Sequence, residues 1–175
     1  VQRMRDVCAA PDRFEEEYGR TNLRMSRGYE ATAKALRGEK ITISAIGGSR
    51  PPCIRQRGVG VEVLEWLNDF VGEDVEVTSV NGAAPAIGSD YFSFCFPLHI
   101  PEDSDLVLVE LGVNDEGIPE HVENMENLLR GLLEMPNRPA VVLVEALAFS
   151  NGGMGGGGGR MHLPVAQYYD VPVIK

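Results

Sequence analysis

Two segments of strand length, Leu106-Val-Leu-Val-Glu-Leu111 and Ala140-Val-Val-Leu-Val-Glu145, are apolar at nearly every position rather than at every second one. A strand with one wet face alternates apolar and polar residues, whereas a run like these must be covered on both faces, as in a sheet sandwiched between helices. Between the two runs, Pro119 occupies a place that a first helical turn tolerates, and Val122, Met125, Leu128, Leu129, Leu132 and Leu133 repeat at helical spacing. Upstream, Ile41-Thr-Ile-Ser-Ala-Ile46 alternates in the manner of a strand and stops at Gly47-Gly48-Ser49, and Val75 to Val80 does the same before Asn81-Gly82. Val59, Val63, Leu64, Leu67, Phe70 and Val71, with Trp66 alongside, predict a helix from Gly60 to Val71 between them.

Strands alternating with helices predict an α/β fold, a three-layer α/β/α sandwich around a parallel sheet of the flavodoxin-like type. In such a fold ligands bind outside the carboxyl ends of the strands, so the loops after Ile46, Val80 and Leu111 are expected to meet. Residues 1–40 read as a polar and helical lead-in: Thr21 caps, Met25, Tyr29, Ala33 and Leu36 form a stripe, and Gly38 stops it. Residues 41–175 form the α/β domain. Near its end come a glycine-rich loop at 152–159, a helix from about Met161 to Tyr169 and a short strand at Val171 to Lys175. A strand in that place lacks the helix that should cover it, so the domain is expected to continue beyond Lys175.

The formal charge of −10 is uneven: residues 1–40 hold nine Lys/Arg against seven Asp/Glu, and the rest seven against nineteen. Gly58 to Leu129 contains no Lys or Arg. Nucleic-acid binding draws its affinity from cations that neutralise phosphates, so no nucleic-acid partner is expected, and an uncharged small-molecule or carbohydrate ester suits the chain better. Cys8, Cys53 and Cys95 are odd in number and widely spaced, which indicates neither a disulfide framework nor a zinc site. No apolar run reaches the roughly 20 residues of a membrane span, and the charged start lacks the apolar core of a signal peptide. The compartment stays open.

Acyl transfer needs a nucleophile whose oxygen is exposed and donors aimed at the oxyanion formed on attack. Ser49 leaves a buried strand through two glycines. Asn114 stands just past the Leu106–Leu111 strand in Leu-Gly-Val-Asn-Asp, and Gly88, in the loop after Val80, offers a backbone donor. A strand ending in GGS, a Gly-bearing loop after the second strand and a GxND after the third resemble blocks I, II and III of the SGNH/GDSL serine esterases, in order, over roughly residues 41–174. The 81–94 segment is also similar to a eukaryotic, fungal or algal, branch of that family.

The resemblance implies hydrolysis of a carboxylic ester through an acyl-enzyme. Ser49 would be the nucleophile, and its N–H, the N–H of Gly88 and the Asn114 amide would form the oxyanion hole, with Gly82 as a second candidate for the block II glycine. It implies no metal or organic cofactor. The sequence departs from the pattern twice. The family's DxxH, which carries the catalytic Asp and His, is absent before Lys175 and is expected after it. In block I, Arg50-Pro-Pro-Cys-Ile-Arg-Gln-Arg57 replaces the usual small residues. These departures motivate a different reading, a non-catalytic ligand-binding domain in which Arg50, Arg55 and Arg57 hold an anion, or an inactive fragment.

The remaining chemistry-bearing residues have plainer readings. His121 and His162 read as surface or helix-start histidines and His99 as lying at the opposite end of the sheet. Cys53 reads as a core thiol, Glu110 as buried or capping, and Asp115 and Glu116 as a solvated helix entry. The glycine run around Gly155 lacks a phosphate-binding signature.

Overall fold

In the computed structural model, residues 23–48, 75–145 and 159–174 are described, residues 23–29 and 159 as main chain only. Ser49, the arginine cluster at 50–57, the 60–71 helix, Cys8, Cys53 and most of the glycine run lie outside the described residues.

Five strands, β1 (Ile41–Gly47), β2 (Val77–Asn81), β3 (Leu106–Glu110), β4 (Ala140–Val144) and β5 (Val173–Ile174), form one sheet in the order β2-β1-β3-β4-β5. Every pairing is parallel. This is the flavodoxin-like order, in which the chain runs outward from β1 to β2 and then returns to β3, leaving the crevice between the carboxyl ends of β1 and β3. Among the described residues, four helices accompany the sheet: α1 (Leu23–Leu36), α2 (Ser89–Cys95), α3 (Pro119–Leu133) and α4 (Gly159–Tyr168). No helix among the described residues is long and apolar enough to cross a membrane.

The strand period of two explains the layers. Ile46, Val107, Val109, Val141 and Leu143 point to one face, where they pack with Phe92 of α2, the α3 stripe, and Val165 and Ala166 of α4. Ile41 and Ile43 point to the other, with Ala35 of α1 and Val75. Met125, Leu128, Leu129 and Leu132 of α3 expose nothing to solvent, and burying side chains of this size contributes about 1.5–3 kcal/mol each. Polar groups lock the amino end of the sheet. Asp105 accepts the Thr42 N–H at 2.9 Å with one oxygen, and Lys34 Nζ at 2.6 Å and Asn137 Nδ2 at 3.1 Å with the other. With that edge tied by a buried carboxylate, the carboxyl edge is left to form a site.

The 81–100 segment differs from its reading as a loop. Helix α2 starts after Gly88, whose extended φ of −106° and ψ of −168° turn the chain into it, and continues into a 3-10 turn at Phe96–Leu98 that contains Pro97. Phe92 is fully buried and Phe94 is 76% exposed, the one-sided burial of a surface helix. Its short length hides the period from the sequence. Helix α2 lies on α3, where a Cβ on Gly131 would stand 2.7 Å from the Phe96 ring.

Candidate active site

The turn after β1 is packed too tightly for any residue but glycine. A Cβ on Gly48 would stand 1.9 Å from the Ile87 carbonyl oxygen and 2.6 Å from both Cγ and Oδ1 of Asn114. Hydrogen bonds hold the arrangement: Gly48 N–H donates to Glu110 O at 3.2 Å, Ala84 N–H to Gly47 O at 2.9 Å, and Ala86 N–H to Gly48 O at 2.7 Å. Ala86 is kept at a φ of 60°, a left-handed conformation that costs a non-glycine residue roughly 1–2 kcal/mol. The loops after β1, β2 and β3 therefore meet at Gly48, as expected from the order of the strands.

The Asn114 side chain and the Ile87 carbonyl, which precedes Gly88, both reach this junction. The Asn114 amide is half-buried, its Oδ1 is sealed from solvent, and it makes no hydrogen bond among the described residues. Asn137, by contrast, gives its Nδ2 to the carbonyls of Ser104 at 2.9 Å and Asp103 at 3.1 Å. A buried amide left without partners costs free energy, and such a group calls for an explanation. Gly88 is partly open to solvent, and its N–H donates to no backbone carbonyl among the described residues. The rival glycine, Gly82, is buried, donates its N–H to Ala45 O at 2.8 Å and abuts the His99 carbonyl. Its donor is already used.

Directly behind these donors lies a buried polar cluster that the sequence reading assigned to the surface. Asp115, expected at a solvated helix entry, is 2% exposed, and His162, expected at the surface or a helix start, is fully buried inside α4. His162 Nε2 stands 2.8 Å from Asp115 Oδ2, and Nδ1 stands 3.0 Å from Glu145 Oε1. The other Asp115 oxygen accepts the Ser89 N–H at 2.8 Å. Glu116, the neighbour grouped with Asp115, is exposed as expected.

With carboxylates as acceptors on both sides, both ring nitrogens donate and the imidazole is held as imidazolium. Burial disfavours that charge, but the hydrogen bonds and charges of Asp115 and Glu145 outweigh it and raise the His162 pKa to about 9. Burial likewise opposes ionised Asp115, and the hydrogen bonds from His162 and Ser89 overcome it, holding its pKa below the ordinary carboxylate value.

These shifts have opposite consequences for stability. The His162 contribution is complete below the unfolded imidazole value of about 6.5 and is lost as pH rises through about 9. The Asp115 contribution is present above its unfolded value and is lost as pH falls through its lowered one. The melting temperature is therefore expected to fall progressively between about pH 6.5 and pH 9.5, and His162→Gln to flatten that alkaline limb. Thermal denaturation followed by circular dichroism across the range checks this; equal alkaline slopes in the two proteins would contradict it.

No protein-family model matches the sequence, and a search of curated proteins finds no match. Solved structures do match. A two-domain esterase active on acetylated mannans, crystallised with mannopentaose, superposes with a TM-score of 0.76 at 24% identity over 84% of this chain. The fold is one that carbohydrate esterases use. The present chain spans 40% of that two-domain esterase's length. The acetyl xylan esterase AlAXEase gives a TM-score of 0.61 at 14% identity, covering 76% of each chain. An acetylxylan esterase from Geobacillus stearothermophilus, in a catalytic-mutant form, gives 0.58 at 14% identity, covering 77% of this chain and 75% of its own. The parallel five-stranded sheet and its helices are common ground with these enzymes.

Of the residues singled out from sequence, Asn114 lies against Gly48, the residue that precedes Ser49, and Gly88 lies against Asp115, the next residue after Asn114. His99, expected at the opposite end of the sheet, lies instead beside the loop after β2, its carbonyl against Gly82 and its Nε2 3.0 Å from the Tyr91 hydroxyl, because the 3-10 turn that follows α2 carries the chain back to that edge. His121 accepts the Glu116 N–H on Nδ1 at 2.7 Å. The sequence reading missed Ser89, Glu145 and His162. A signal was present: Glu145 ends an otherwise apolar strand, and His162 interrupts the apolar side of a helix.

Proposed function

We propose that this chain carries the nucleophile and oxyanion hole of a serine esterase acting on acetyl esters of carbohydrates. The observation that carries the reading is the junction at Gly48: the residue bonded to Ser49 lies against the Asn114 amide and the Ile87–Gly88 peptide. The loops that carry Gly88 and Asn114 thus close on the glycine that precedes Ser49 in the sequence.

In this reading the Ser49 hydroxyl attacks the ester carbonyl as a base takes its proton. The negative charge that develops on the carbonyl oxygen is met by the N–H groups of Ser49 and Gly88 and by the Asn114 amide, and collapse expels the sugar hydroxyl, which receives the proton. Water then cleaves the acetyl-enzyme and releases acetate. The base is not His162, whose two nitrogens are both committed. In His121 the Nδ1 atom is engaged by the Glu116 main chain, 2.7 Å from its nitrogen and 3.2 Å from its oxygen. The sequence has three histidines, and the third, His99, is engaged by Tyr91. The SGNH/GDSL resemblance assigns the base to the His of a DxxH segment, a pattern that Val1 to Lys175 does not contain. A neutral sugar ester suits a chain whose central stretch lacks cations, and the matched structures include esterases active on acetylated mannan.

Acetate release from acetylated mannan and xylan by the protein with its natural termini tests the proposal. Asn114→Ala is expected to lower kcat about 100- to 1,000-fold, the effect of deleting one oxyanion donor, with little change in KM. Turnover unaffected by that substitution, or no release of acetate from any ester, would overturn the reading.

A further inference from the structure

The buried imidazole is hydrogen-bonded to a unit, Ser89 N–H, Asp115 and Glu145, whose members Ser89 and Asp115 adjoin Gly88 and Asn114 in the chain. Asp115 is bonded in sequence to Asn114, and its Oδ1 accepts the N–H of Ser89, the residue after Gly88. That oxygen would stand 2.4 Å from a Cβ on Gly88, so the carboxylate is seated directly against the Gly88 main chain. Gly88 has no side chain to cap α2, and Asp115 does so from the β3–α3 loop, satisfying one of the free N–H groups at the helix start. A carboxylate with two rotatable bonds holds such a position only if its other oxygen is also fixed. Here the fixing group is His162 on α4, itself held by Glu145 at the end of β4. His162 exposes no surface.

We propose that His162 is a positioning residue: clamped by Glu145, it orients Asp115 and thereby sets both the Gly88–Ser89 main chain and Asn114 for the oxyanion. The role of those donors in catalysis rests on the esterase reading; their mechanical coupling to His162 does not. Among the described residues, the ionisable groups that face the imidazole are Asp115 from the β3–α3 loop and Glu145, the residue after β4. On α3, the nearest packed helix, His121 is bonded to Glu116 and Glu126 to the Tyr169 hydroxyl.

The test has two arms. In the unaltered protein, nuclear magnetic resonance with labelled histidine follows the His162 ring nitrogens from pH 6 to pH 10 while the amides of Gly88 and Ser89 and the Asn114 side chain are recorded. Both ring nitrogens are expected to be protonated at neutral pH, and the Gly88, Ser89 and Asn114 signals to shift with the midpoint of His162, while Val107 and Val141 in the core stay fixed. Titration of His162 with those three signals unmoved would overturn the proposal, and so would a neutral imidazole at pH 7.

The second arm measures turnover. His162→Gln, or Glu145→Gln should the first variant fail to fold, is expected to lower kcat about 10- to 100-fold, the effect of a small misplacement of catalytic groups, with KM within about twofold. A folded variant with wild-type kcat would overturn the proposal. An unaltered protein that hydrolyses no ester, yet shows the coupled shifts, would remove the esterase reading and leave the coupling standing.

Discussion

Replacing Ser49 by alanine is expected to lower acetyl-ester turnover by about four to six orders of magnitude. Deleting the nucleophile of a serine hydrolase leaves only the catalysis of the oxyanion hole and of substrate binding, and losses of this size are usual. The fold should survive, because the substitution removes one oxygen and adds no volume; the melting temperature is expected to stay within a few degrees. The contrast with Asn114→Ala is informative: loss of one oxyanion donor weakens stabilisation of a charge that other donors still meet, whereas loss of the nucleophile removes the covalent route. Steady-state hydrolysis of an activated acetyl ester, with the melting curve of each variant, measures both. A loss at Ser49 no greater than that at Asn114 would show that another group attacks the ester.

Gly48→Ala is expected to have the second-largest effect, although alanine adds only a methyl group. Its Cβ would lie 1.9 Å from the Ile87 carbonyl oxygen and 2.6 Å from the Asn114 side chain, far inside van der Waals contact. Both neighbours are fixed, Ile87 by the Ala86 to Gly48 hydrogen bond and Asn114 by its main-chain bond to Leu111 at 3.0 Å. Something in the oxyanion site must move. Overpacking of this kind costs roughly 1–3 kcal/mol of stability, and a displacement of about 1 Å in catalytic groups costs on the order of 100-fold in rate. Gly117→Ala is the control, since a Cβ there meets only Met161, at 3.8 Å. Kinetics and chemical denaturation of the two variants are expected to show loss of activity and stability at position 48 and little change at position 117. Normal activity in Gly48→Ala would mean that the three loops do not form the site.

The parts of the fold that were legible in the sequence are those whose burial leaves a periodic trace. The unbroken apolar runs of β3 and β4 could only be central strands, and the stripe from Val122 to Leu133 could only be a helix lying on them. The alternation of strands and helices implied a parallel sheet, and with it the meeting of the loops after Ile46, Val80 and Leu111, segments far apart in the chain. Helix α2 escaped because seven residues give barely two turns, with aromatic residues on both its buried and exposed sides. The Asp115–His162–Glu145 cluster escaped for a different reason. Charged residues are rarely buried unless paired, so each of the three, taken singly, belongs on the surface. The pairing that reverses this preference joins residues 47 and 17 positions apart, and only the folded chain brings them together.

The same cluster bears on how the site keeps its shape. An oxyanion hole made of main-chain N–H groups and one amide has little intrinsic rigidity, and its value lies in being set before substrate arrives. In the proposed site, the packed glycine at position 48 would supply that order on one side and the imidazole behind Asp115 on the other. Neither group touches the ester in the proposed mechanism.

The most direct measurement of the central claim is covalent labelling by a fluorophosphonate probe, followed by peptide mapping, on the protein with its natural termini and on its Ser49→Ala variant. A single phosphonyl adduct on Ser49, absent from the variant, is the expected result; a well-folded protein that takes up no probe, or takes it up at another residue, would contradict the assignment of Ser49 as the nucleophile.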